Sequence, residues 1–78
     1  MTSIEIGNIV LIHRKKSGLT QKGLAIVAGV GKTVVFDIEK GKETVQINSL
    51  LKVFSVLNIS IVLKSPIITL MEGRDEKS

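Results

Sequence analysis

The sequence holds no cysteine, which excludes disulfide frameworks, thiolate metal sites and cysteine nucleophiles. Its single histidine, without cysteine partners, gives no zinc-finger pattern and no basis for a transition-metal site. Tyrosine and tryptophan are absent, phenylalanine occurs twice and proline once. No apolar run approaches the ~18–20 residues that a membrane-spanning helix needs. The opening Met1-Thr2-Ser3-Ile4-Glu5 carries an acid and lacks the basic start of a secretory signal. The expectation is a soluble, cytoplasmic chain that uses neither metal nor cofactor and does not enter a membrane.

Apolar residues are plentiful at 44% of the 78 residues, and Ile and Val make up more than half of them. That length allows one compact domain, which buries roughly 60–65% of the surface its unfolded chain exposes. Charge is the other surplus, with eleven Lys and Arg against seven Asp and Glu for a net +4. Arg14, Lys15, Lys16, Lys22, Lys32, Lys40 and Lys42 cluster between residues 14 and 42, opposed there only by Asp37 and Glu39. A basic stripe of this kind suits phosphates, on nucleic acid or on an anionic surface. It also suits the plainer task of keeping an apolar small protein in solution.

Punctuation divides the chain into four helices. Residues 4–16 carry Ile6, Val10 and His13 on one stripe, and Gly18 follows a basic last turn. Residues 21–28 start after Thr20, a good N-cap, with Leu24, Ala25 and Ala28 inward. Residues 32–40 place Val35 and Ile38 on a buried side, and Gly41 closes the helix. Residues 47–57 repeat Leu50, Leu51, Phe54 and Leu57 at helical spacing. The period then changes. Ile59-Ser60-Ile61-Val62-Leu63 is β-branched and reads as a strand, Pro66 interrupts it, and residues 67–71 read as a second strand. A strand on a helical domain needs a partner, most simply its copy in a second subunit. Hence the expected organisation is a helical domain over 4–58, a dimerisation segment over 59–71 and a charged, disordered tail over 72–78.

Residues 19–41 carry the functional pattern: Leu19-Thr20-Gln21, Leu24-Ala25, the turn Ala28-Gly29-Val30, Val35, Ile38, Glu39 and Gly41. Two short helices joined by a glycine turn, the second with a basic outer face, fit the major groove of DNA. On a helical wheel, Lys32, Thr33, Phe36, Asp37 and Lys40 fall opposite Val35 and Ile38. With Gly7, Arg14, Gly18 and Leu50-Leu51-Lys52 added, the match spans about residues 6–58. The sequence resembles the Xre-type helix-turn-helix family of the lambda repressor and Cro. The resemblance implies a mainly α, four-to-five-helix DNA-binding domain acting in transcriptional repression.

It also implies roles for particular residues. Gln21 would bind a phosphate and brace the recognition helix, with Lys22, Lys40, Lys42 and Thr44 as further phosphate contacts. Lys32, Thr33, Phe36 and Asp37 would face base edges: Lys suits guanine O6 and N7, Thr a base or a thymine methyl. An acid at Asp37 fits a cytosine N4 and equally would repel the backbone. Arg14 and Glu39 would form a largely buried ion pair tying the first helix to the end of the third. Three departures stand out: Gly23 replaces the usual Glu of a capping box, and Val34 and Phe36 replace small polar residues.

Other motifs carry less. His13 reads as a partly buried residue of the first helix, with no nucleophile arrangement around it. Gly31-Lys32-Thr33 ends like a P-loop, but its first glycine would fall at Ile26 and no strand precedes it.

The run from Asn48 to Lys64, a helix leading straight into a strand, is similar to HipB-type antitoxins. That similarity implies strand pairing across a two-fold axis through Ser60, Ile61, Val62 and Leu63, an inverted-repeat operator, and a HipA-type kinase as partner. Ile4, Leu11 and Ile12 fall away from the first helix's inner stripe, and mean hydropathy is +0.36. Both observations fit an interface. Two functions therefore stand at this point. One is a dimeric repressor, with a toxin partner or as a stand-alone phage-type regulator. The other is a protein-binding module whose helix-turn-helix no longer reads DNA.

Overall fold

The computed structural model describes residues 1–70. Four helices form the body: α1 (Ser3–Lys16), α2 (Gln21–Ala28), α3 (Lys32–Lys40) and α4 (Ile47–Val56). Local chemistry sets their limits. Thr2 caps α1 reciprocally: its Oγ1 accepts from the Glu5 N–H at 3.1 Å, while its own N–H donates to Glu5 Oε1. Thr20 caps α2 by accepting from Gly23 N–H at 2.9 Å, and no acid returns the bond. α2 and α3 end at Gly29 and Gly41, both at positive φ. At the end of α3 the Gly41 and Lys42 N–H groups donate back to the Ile38 and Asp37 carbonyls, each at 3.0 Å. This turn fixes where Lys42 leaves the helix.

The core is Val10, Leu24, Ala25, Val35, Ile38, Val53, Phe54 and Leu57, drawn from every helix. α3 lies at its centre, packed on α1, α2 and α4. One contact sets how close α1 and α3 come. Gly7 is buried, and a Cβ there would collide with the Ile38 carbonyl oxygen and stand 2.9 Å from that of Glu39. The two backbones touch where a side chain would keep them apart.

Several sequence expectations are corrected. His13 is exposed rather than partly buried: its Nδ1–H donates to the Ile9 carbonyl at 2.7 Å, along its own helix. The inner position one residue on belongs to Arg14, because its partner Glu39 lies on α3. Leu51, on the apolar stripe of α4, is exposed, since α4 turns only Val53 and Phe54 fully inward, followed by its C-cap Leu57. Among the described residues there is no strand. Residues 59–65, including Ser60, Ile61, Val62 and Leu63, are irregular, because a single chain offers their backbone no ladder to join. The expected second strand is helical over 66–70 instead. Ser65 caps it, accepting from the Ile68 N–H at 3.0 Å, and Pro66 takes the first helical position, where its missing N–H costs nothing. The described residues are thus all-helical, with five helical segments. The tail expected at 72–78 and the last residue of the expected second strand, Met71, lie outside the described residues.

Candidate nucleic-acid interface

The recognition region is built on a charged hub. Arg14 donates through Nε to Glu39 Oε2 at 2.6 Å and through Nη2 to Oε1 at 3.0 Å, a fork meeting a carboxylate. Its Nη1 donates to the Leu19 carbonyl at 2.9 Å. Gln21 Nε2 donates to Glu39 Oε1 at 3.1 Å. One carboxylate therefore ties α1, the start of α2 and the end of α3, while Arg14 holds the α1–α2 loop through the Leu19 carbonyl. The pair is nearly dry, with 12% of the Arg14 and 6% of the Glu39 side chain exposed. The hydrogen bond that Arg14 donates to Glu39, together with the charge of that carboxylate, outweighs burial and raises the Arg14 pKa above its usual value.

Outward from this hub the expected DNA residues separate into two groups, one on each flank of α3. Gln21, Lys32, Thr33 and Phe36 line an open hollow of about 450 Å³ toward α2. Asp37, Lys42 and Thr44 line a second hollow of about 320 Å³ toward α4, with Val34, Val45, Gln46 and Ser49. Lys22 is exposed on α2 and lines neither hollow. Phe36 is 45% exposed, and Lys40, one turn on, holds its ammonium 5.3 Å from the ring centroid. Asp37 turns toward Lys42, with 3.5 Å between Oδ2 and Nζ. Neither α3 nor α4 has a side-chain cap on its first N–H groups, and neither carries an acid in its first turn. Both helix starts thus keep their partial positive charge.

Gln46 and Ser49 at the start of α4 are absent from the sequence expectation. The signal available was a polar segment, Thr44 to Ser49, ahead of the apolar α4 stripe. The Leu19 carbonyl could not be read from sequence at all, since it is a backbone group placed by the loop.

A family model for helix-turn-helix domains matches residues 12–64, more than half of the chain. The chain belongs to the Xre-type helix-turn-helix family. The HTH-type transcriptional regulator y4mF of Sinorhizobium fredii is 45% identical over 65 residues, covering 83% of this chain and 86% of that protein. Chains in the solved HipA-HipB-O2-O3 complex and in the HipB-O4 20mer complex superpose with a TM-score of 0.75. Each covers 85% of this chain and 93% of its own at 20% identity, a likeness of fold. As a member of the helix-turn-helix family the chain is a transcriptional regulator that binds DNA, and it is not an enzyme. No helix among the described residues is long and apolar enough to cross a membrane.

Proposed function

We propose that this helix-turn-helix protein is a dimeric, sequence-specific repressor that binds an inverted-repeat operator. The observation that carries the reading is the hollow where Gln21, Lys32, Thr33 and Phe36 meet on the outer flank of α3. Lys32 and Thr33 lie in the first turn of α3, at the end that reaches base edges, and Lys32 donates to guanine. Phe36, with its face backed by Lys40, packs on thymine methyls. The Gln21 amide, oriented by Glu39, keeps its second N–H for a phosphate, and Lys22, Lys40, Lys42 and Thr44 add further phosphate contacts.

Dimerisation is the second part of the reading. Val62 and Leu63 are 73% and 72% exposed, beside an apolar groove of about 360 Å³ that Met1, Ile6, Ile9 and Phe54 line with residues 59–63. Pairing residues 60–63 with their copies would give those backbones a ladder and cover the groove. We read the chain further as the antitoxin of a HipA-type kinase that represses its own operon. This rests on the likeness of fold to the HipB chains, together with the run of this chain's α4 into an apolar C-terminal segment.

The test is a pair of titrations, a palindromic duplex from upstream of its own gene against a scrambled one, repeated over a salt series. With roughly three to four phosphates per subunit, the log–log slope is expected at about −5 to −7. Lys32→Ala should weaken operator binding by ~1–3 kcal/mol and scrambled binding far less. Salt-independent affinity, or no preference for any palindrome, would leave a partner-binding module instead. For the dimer, sedimentation of the intact chain should give two copies at micromolar concentration. Val62→Asp combined with Leu63→Asp, both on exposed side chains, should give a folded monomer; an unaltered dimer would place the interface elsewhere.

A further inference from the structure

We infer that Asp37 is a resident counter-charge in the phosphate seat beside α4, holding Lys42 back from DNA and lowering affinity for all sequences alike. The inference rests on the reading of this face as a DNA surface. Three observations lead to it.

The first is direction. Asp37 lies on α3 among the recognition residues, yet it does not share the hollow of Lys32, Thr33 and Phe36. It lines the opposite one with Lys42, Thr44, Gln46 and Ser49. Only 24% of its side chain is exposed, so it is seated against the α3–α4 loop rather than extended toward base edges.

The second is chemistry. Everything else polar in that hollow favours an anion: an ammonium, two hydroxyls, an amide, and a helix start without an acid in its first turn. Asp37 is the one group of negative charge lining it. Its carboxylate therefore occupies, in the free protein, the place a phosphate would take.

The third is the attachment of Lys42. Its backbone N–H donates to the Asp37 carbonyl at 3.0 Å, and its Nζ stands 3.5 Å from Asp37 Oδ2. The end of α3 thus returns Lys42 over the very residue that neutralises it. The Lys42 side chain remains 56% exposed, and a pair this wet is weak enough for a phosphate to compete with. Binding then replaces an internal anion rather than filling an empty cationic seat, and fewer counterions are released.

The consequence is a division of labour along α3. Lys32 and Thr33 supply discrimination at one end, while Asp37 limits non-specific adhesion at the other. A cytosine-reading Asp37 would behave differently, because its loss would change preference at one base position only.

The experiment uses the full chain, fluorescence anisotropy, and operator and scrambled duplexes over a salt series, with Asp37→Asn, Lys42→Ala and the double variant. Asp37→Asn should tighten both duplexes alike, roughly 5-fold per subunit near 0.15 M salt, and steepen the slope by roughly 2 per dimer. The steepening should vanish in the Lys42→Ala background. Thermal midpoints should stay within a few degrees of the parent, as expected for a pair whose lysine end is in water. Weaker or unchanged binding by Asp37→Asn, or a loss confined to operators with cytosine at one position, overturns the inference. A parent chain that binds neither duplex overturns the DNA reading itself, which is a separate result.

Discussion

Replacing Glu39 by Ala is expected to remove a third or more of the domain's stability. Removing one partner of a buried ion pair costs about 3–5 kcal/mol, because the charge left behind has neither water nor a counter-ion. A domain of this length has about 4–12 kcal/mol in total. The loss here reaches three segments at once, since the Arg14 fork and the Gln21 amide both end on this carboxylate. Glu39→Gln keeps the shape but turns an NH₂ group toward donors that already need an acceptor, so it should fall between the two. The double change Arg14→Met with Glu39→Met removes both charges and should recover much of the deficit. Urea unfolding followed by circular dichroism reads all three. A Glu39→Ala loss below about 1 kcal/mol would show that the hub orients the helices without holding them.

The second large effect is expected at Gly7. In an exposed helix, Gly→Ala stabilises by roughly 1 kcal/mol through propensity. Here the new methyl meets the Ile38 and Glu39 carbonyls of α3, which are backbone and cannot rotate aside. Separating α1 from α3 also pulls Arg14 from Glu39. Overpacking of this kind costs ~1–3 kcal/mol or more, so Gly7→Ala should lower stability despite the better helix former. The sign decides. A rise in the urea midpoint would mean that the two backbones are not held in contact. Because α3 is displaced, operator affinity should fall beyond what the unfolded fraction explains.

The helices were legible because their ends are written locally. Thr20 and Gly29 bracket α2, Gly41 ends α3, and the outer face of α3 follows from the positions of Val35 and Ile38. The Thr2–Glu5 capping box was equally legible in principle, as Thr-x-x-Glu ahead of an apolar run, and Ser65-Pro66 was a helix start inside a segment whose β-branched residues argued for a strand. In that segment two local signals conflict, and the described residues follow the Ser65-Pro66 helix start over 66–70 and form no strand over 59–65.

Sequence by itself determined the four helices of a helix-turn-helix regulator, because caps, glycine turns and a 3.6-residue apolar period are short-range and survive without tertiary contacts. The tertiary structure alone decided three things. It turned His13 out to solvent, although the apolar stripe of α1 had placed it partly inside. It made Gly7 a contact between backbones. It turned Asp37 away from the flank of Lys32, Thr33 and Phe36 and toward Lys42, because the turn after Gly41 brings that lysine back over the helix, a placement that no periodicity encodes.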